Sequence, residues 1–458
     1  MTPAAAPPRP LRNASRHGYP VAMQPPSTDA SADLAGADLA DPMFWARPLE
    51  ERHTVFAALR SQPGLPFYEE PAPSTNYATV VPHGPGFRAV VRYADVVTAS
   101  KDPATYTSGQ GAVTVIDLPP DMVEYFGGMI STDRPRHTRL RRIVAAAFTE
   151  RRIAAASSTI QHLADRVVDA VADRGECDFV VDIAAPLPLA VICDLMGVPT
   201  SARGDVLRCS NVILSGGDPE FVPEGTDPVL SYAAAGAELT ALMEELAAFR
   251  AEHPTDDLTT ALVTSNIDGE SLTHGELASF FIMLLIAGNE TTRNALAHGL
   301  WAMTCYPDQR RRWQDDVDGV GPTAVEEVLR WSTPVTWMRR TVATDTALAG
   351  EELHPGDKLL LFYGSANRDE SVFSDPESFD VLRSPNPHVS FGAGGPHTCL
   401  GAHLAHRELD VMVRTLFRRL PDIEASGDPD RLVSSFINGI KHLPCTFTPE
   451  HRRPTPII

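Results

Sequence analysis

The run Phe280-Phe-Ile-Met-Leu-Leu-Ile-Ala-Gly-Asn-Glu-Thr-Thr292 constrains the fold more than any other stretch of the 458 residues. Thr273-His-Gly-Glu276 ahead of it has the spacing of a capping box, in which threonine and glutamate satisfy free N–H groups at a helix start. The pattern predicts one helix from there to about Cys305. For two turns that helix is apolar on every side, so protein must surround it, at the centre of a large helical domain. Two of its residues go against local preference. Gly288 costs about 1 kcal/mol relative to alanine, and Glu290 is a carboxylate that is costly to bury unpaired. Such departures concentrate at functional sites.

Nearer the C-terminus, His388-Val-Ser-Phe-Gly-Ala-Gly-Gly-Pro-His-Thr-Cys399-Leu-Gly401 runs into the helical pattern Ala402-His-Leu-Ala-His-Arg-Glu-Leu409. Gly392, Gly394 and Gly395 let the backbone adopt positive φ and approach a flat, bulky group closely. Cys399 falls at the mouth of the helix, where unpaired N–H groups and the dipole favour a thiolate. One thiolate without a second cysteine nearby suits a haem iron better than zinc. A lone cysteine in a turn is also often no more than a buried packing residue, and the loop by itself leaves both readings open.

Three further stretches carry charge in an informative order. In Asp133-Arg-Pro-Arg-His137-Thr-Arg-Leu-Arg141, His137 and Arg141 are four apart and share a helical face, so together they form either a solvated basic face or a seat for an anion. Glu327-Val-Leu-Arg330 has the spacing of an ordinary helical ion pair, worth a few tenths of a kcal/mol. Pro334-Val-Thr-Trp-Met-Arg-Arg340 follows it.

Phe391, Gly395, His397, Cys399 and Gly401 resemble the haem-binding loop of the cytochrome P450 monooxygenases, with one extra residue between Phe391 and the cysteine. Ala287-Gly-Asn-Glu290-Thr291-Thr292 is similar to that family's oxygen-activation motif, and the order of oxygen motif, E-x-x-R and cysteine loop also matches. The resemblance covers about residues 41–450 and implies a mainly α fold with a small β region, a long central helix over the haem and the cysteine loop beneath. It also implies that Cys399 ligates the iron of haem b (iron protoporphyrin IX). His137, Arg141, Arg340, Phe391, Gly392, His397 and Gly401 would contact the cofactor, with Arg339 competing with Arg340 for a propionate. Ala287 and Gly288 would leave room for dioxygen, Thr291 would hydrogen-bond the activated oxygen, and Glu290 would relay protons to it. Glu327 and Arg330 would lock the core behind the haem. Val113, Ile116, Met283, Ile286, Ala287, Val335, Thr336, Trp337, Phe436 and Ile437 would line the substrate pocket.

Composition bounds the rest. Residues 1–40, rich in Pro, Ala and Asp, bury too little apolar surface to offset the entropy of ordering, so a disordered extension is expected there and a single domain over 41–458. A net charge of −20 argues against nucleic acid; Arg139, Arg142, Arg151 and Arg152 could dock an acidic redox protein. The six cysteines lack C-x-x-C spacing, which fits a reducing cytoplasm. No stretch reaches the ~18 apolar residues of a membrane span. Residues 106–131 read as a long lid-like loop, and 210–230 as a second flap. Residues 152–209 read as helices interrupted at Pro186 and Pro188.

The expected function is monooxygenation of a small hydrophobic substrate (a steroid, terpenoid or branched lipid). Electrons would come from NAD(P)H only indirectly, through ferredoxin and ferredoxin reductase, because no flavin or nicotinamide fingerprint is present. A secondary-metabolite tailoring hydroxylase would look the same. A peroxide-driven peroxygenase, which should not need the Glu290–Thr291 relay, and a non-catalytic haem or ligand-binding protein are the rivals from other classes.

Overall fold

The computed structural model describes residues 37–70, 83–145, 148–222, 225–265 and 271–450; most of the expected N-terminal extension lies outside them. The expected central helix spans His274–Cys305, opened by the expected capping box. Thr273 Oγ1 accepts from the Glu276 amide, and the Glu276 carboxylate accepts from the Thr273 amide. At 1.5 Å per residue it is about 48 Å long. It is buried along most of its length and packs against the helices Pro186–Met196, Pro228–Glu252, Val317–Ser332 and Ala402–Arg419. The apolar run therefore sits inside the largest hydrophobic cluster, which these helices share.

Helix and sheet regions divide as the sequence suggests, with local differences. Strands β1 (Phe67–Tyr68), β2 (Phe87–Val90) and β3 (Tyr106–Thr107) precede β4 (Glu176–Asp178). Then come β5 (Trp337–Val342), β6 (Thr346–Leu348), β7 (Glu351–Leu353) and β8 (Lys358–Phe362), and last β9 (Glu424–Ala425), β10 (Asp430–Arg431), β11 (Ile440–His442) and β12 (Pro444–Thr446). The main sheet has the order β1-β2-β8-β5-β3. The segment expected to be a long loop contains β3, the helix Pro120–Gly127 and the 3-10 turn Gly128–Ser131. Pro186 opens a helix rather than breaking one, since a first-turn proline lacks only an N–H that would have gone unpaired.

The main sheet shows how alternation assigns side chains. Strand β8 is buried on both faces. Its Leu359 and Leu361 enter one cluster, with Val90, Val342 and Tyr363, while Leu360 and Phe362 enter another, with Phe44, Trp45 and Phe56. Successive side chains point to opposite faces, and the same parity governs β5. Trp337 lies opposite Phe362 in register and packs edge-on against Phe436, 5.1 Å between ring centres. Met338 lies against the other cluster.

That parity also decides between the two arginines. Arg339 shares the Trp337 face, where it donates to Asp117 Oδ1 at 2.7 Å and to the Val115 carbonyl at 3.2 Å. Buried Lys358 reaches the same aspartate at 2.8 Å and also pairs with Glu70. Two buried cations thus hold the 114–117 segment to the sheet. Arg340 points the other way.

Candidate active site

A cavity of about 220 Å3 lies between the central helix and the cysteine loop. From the central helix, Met283, Leu284, Ala287, Gly288, Thr291, Thr292 and Ala295 line it, one stripe at three- and four-residue spacing. Gly288 serves packing as well, since a Cβ there would meet Ile192 Cγ1 at 3.0 Å. The helix Pro186–Met196 can approach so closely only because the side chain is missing. Thr291 Oγ1 donates to the Ala287 carbonyl at 2.9 Å, the usual internal bond of a helical threonine.

On the opposite wall the cysteine loop makes a tight turn. The Cys399 amide donates to the Phe391 carbonyl at 2.9 Å, and Gly392, Gly394 and Gly395 all have positive φ. A Cβ on Gly395 would lie 2.3 Å from the Ser100 carbonyl oxygen, a backbone atom that cannot yield. Cys399 is exposed, but its exposed surface belongs to the cavity wall. Burial pushes its thiol above the ordinary range, while the Gly401 amide and Arg141 pull it down. The helix-start effect expected from the sequence is therefore present but outweighed for the free thiol.

The loop is held from behind by a fork that the sequence did not disclose. Glu326, on the helix Val317–Ser332, accepts from His388 Nε2 at 2.6 Å and from His406 Nε2 at 2.8 Å. The Phe391 ring lies 4.9 Å from the His406 ring. Burial alone would raise the Glu326 carboxyl, but its two histidines hold it at about 2, and Glu326 in turn raises His406 against the desolvation that would lower it.

The signs fix a pH window. The glutamate's contribution is complete above its unfolded pKa of ~4.3 and fades as pH falls toward about 2; the histidine's is complete below ~6.5 and fades as pH rises through its raised value. Thermal unfolding between these limits should show the fork at full strength. Glu326→Gln should flatten both flanks of the wild-type pH–stability curve, and identical curves for the two proteins would remove the fork from the account.

One rim of the cavity is cationic. His137, Arg141, Arg340 and His397 all line it. Arg141 donates to the Thr398 carbonyl at 2.7 Å and Arg340 to the Arg339 carbonyl at 2.8 Å; among the described residues neither meets a carboxylate. His137 Nε2 is buried without a partner, and its ring lies 4.2 Å from that of His397. Burial, then Arg340, His137 and Arg141, holds His397 down to about 3. A buried orphan nitrogen and two guanidiniums without acids are unfavourable unless an anion completes them. Arg139 does not join them, because its guanidinium is bonded to Glu276 at 2.7 and 2.9 Å.

The pocket residues expected from the sequence divide between this cavity's wall and its surroundings. Met283, Ala287 and Val335 line the cavity, whereas Val113, Ile116, Ile286, Thr336, Trp337, Phe436 and Ile437 do not. Trp337 fails by strand parity, since a β5 that turns Arg340 to the cavity also turns Met338 there. Ile286 lies about 150° round the helix from the centre of the lining stripe. Ile437 is paired with Val335 in an isolated bridge, behind the wall. In their place stand Met129 and Ile130 of the 3-10 turn, and Met338.

Glu290 is not in the wall either. It is buried one residue round the helix from Thr291 and paired with Arg293. Its Oε1 has no partner, and burial raises its pKa against the pull of Arg293. A second buried carboxyl does reach the cavity. Glu408, with one oxygen unpartnered, is raised to about 8 by burial despite a hydrogen bond with Thr292. Its signal was legible as a glutamate inside the apolar stripe Leu404, Leu409, Val411 and Met412.

The geometry agrees with comparisons to known proteins. A family model described as Cytochrome P450 matches residues 238–431. A Mycobacterium tuberculosis protein named Methyl-branched lipid omega-hydroxylase is 45% identical over 419 residues, covering 91% of this chain and 95% of that one. A Mycolicibacterium smegmatis protein named Steroid C26-monooxygenase is 38% identical, covering 79% of this chain and 84% of its own length. Among solved structures, a Mycobacterium marinum cytochrome P450 in complex with pseudoionone aligns with a TM-score of 0.85 at 38% identity, covering 93% of this chain and all of that one. Thiol, apolar walls and cationic rim fit a planar metal-bearing dianion, and the likeness extends along nearly the whole chain: this protein belongs to the cytochrome P450 family and is a haem b monooxygenase.

Proposed function

We propose that the protein hydroxylates the terminal region of methyl-branched lipids, placing one atom of dioxygen in a C–H bond while the other leaves as water. The 45% likeness to a methyl-branched lipid ω-hydroxylase over 95% of that protein's length carries this reading, and the apolar walls support it. NAD(P)H would supply electrons through ferredoxin and its reductase in the cytoplasm; among the described residues no helix is long and apolar enough to cross a membrane.

Haem, when bound, supplies the oxygen chemistry, and the chain's residues do the rest. Cys399 Sγ would hold the iron, oriented by the tight loop and by the Gly401 amide. Arg141, Arg340, His137 and His397 would receive the two propionates through charge-assisted hydrogen bonds. Met129, Ile130, Met283, Leu284, Val335 and Met338 exclude water and seat the lipid chain, the methionines adapting to its branches. Thr291 Oγ1 on the cavity wall, with the buried Glu290 carboxyl next to it in the helix, would move a proton toward the cavity.

Titration of the holoenzyme with ligand, read as the shift to the high-spin haem spectrum, tests the substrate class. Each additional buried methyl contributes about 0.8 kcal/mol, so two branches should tighten binding about tenfold over the straight-chain acid of equal length. The steroid relatives define the competing arm. A cholestane-type steroid that shifts the spectrum at lower concentration than the branched acid would transfer the assignment to steroid side chains.

A further inference from the structure

We infer that Cys177 and Cys445 form a dithiol site that closes to a reversible disulfide on exchange with a small-molecule disulfide. The two residues face each other across adjacent antiparallel strands, Cys177 in β4 and Cys445 in β12, in direct register. Their sulfurs are 3.4 Å apart. Bonding needs ~2.05 Å and a Cα separation usual for neighbouring strands, so side-chain rotation of roughly 1.4 Å suffices and the strands need not part.

The remaining cysteines lack such a partner among the described residues. Cys399 faces the cavity, Cys209 lies against Glu238, and no sulfur contact joins Cys193 or Cys305 to another thiol. Cys177 is half-buried and Cys445 buried, which sets the order of events. The Cys177 thiolate attacks the small disulfide and expels one small thiolate, which takes up the proton Cys177 gave up. Cys445 Sγ, deprotonated in turn, then attacks Cys177 Sγ and expels the second small thiol. Two protein thiols are oxidised and one disulfide is reduced to two thiols. The hydrogen bond with Cys445, then burial, raises the Cys177 thiol, so exchange is slow near neutrality and quickens with pH.

The bond would staple two segments 268 residues apart in sequence. It would do so at a strategic place. Beside Cys177, Asp178 accepts from His442, and His442 also reaches Glu220 in the segment 215–222.

The test uses the full-length holoenzyme, reduced, freed of reductant and exposed to 2-hydroxyethyl disulfide at about pH 8.5, the ordinary thiol pKa. Peptide mapping without reduction should find one cross-link, 177 to 445. The thermal midpoint should rise by about 5 °C and return when reductant is added. Cys445→Ser should stop at a single hydroxyethyl adduct on Cys177, with no rise in midpoint; that readout keeps the test open should Cys177→Ser fold poorly. An adduct that persists on wild-type Cys177, a cross-link to any other cysteine, or no reaction in the folded enzyme would each overturn the site.

Discussion

Cys399→Ala is expected to abolish monooxygenase activity and to remove the red-shifted Soret band that a thiolate-ligated haem develops when reduced under carbon monoxide. Among the described residues no other thiol lines the cavity, and His397, two residues away, is held neutral on the rim with His137. Alanine keeps the turn, because the Cys399 bond to Phe391 uses a backbone N–H, and the cavity gains only a small void. Far-ultraviolet dichroism should therefore remain that of the wild type. Stability should fall by the free energy that cofactor binding adds, about 4 kcal/mol for a group present at a thousand times its dissociation constant. A variant that retained the shifted band would move the ligand to another residue and dismantle the site proposed above.

Arg330→Ala should be the most destabilising single change on the proximal side, about 3–5 kcal/mol by denaturant titration. Arg330 and Glu327 are both fully buried and joined by two bonds of 2.7 and 2.8 Å. Arg330 also donates to the carbonyls of Asn367, Pro376 and Ser378. Glu327 also accepts from the Asp380 amide, Arg383 and Asn386. Truncation thus leaves the buried Asn367 carbonyl and the half-buried Pro376 carbonyl without this donor, with Arg383 still bonded to the Ser378 carbonyl and remaining as the guanidinium partner of the carboxylate. The same variant should lose haem retention, because Asn367 bonds the Val389 amide and Ser390 just before the cysteine loop. A loss below 1 kcal/mol would show that the region rearranges around the deletion.

Asn367 and the Glu326 fork show why part of the site could not be read from the chain. The loop's supports lie 22 residues away for Asn367 and 62 for Glu326, and nothing local marks Glu326, which in sequence is one carboxylate beside another. The Glu327–Arg330 pair was legible as a spacing worth tenths of a kcal/mol; burial beside carbonyls from two other segments makes the loss of one partner cost about ten times more.

What the sequence alone determined was whatever depends on local pattern. Apolar residues on every side of 280–292 demanded a buried central helix, glycines before Cys399 demanded a turn that admits a close-lying group, and the stripe Met283, Ala287, Thr291 followed from helical spacing. Tertiary structure decided whatever depends on direction. Packing of β5 against β8 fixed which face of the strand meets the cavity, so Arg340 and Met338 entered it while Arg339 and Trp337 turned away. Rotation of the central helix kept Glu290 out of the wall, and that of the helix Ala402–Arg419 brought Glu408 in. Side-chain period is local, but its phase is set only when two elements pack, because burial of the apolar face chooses it.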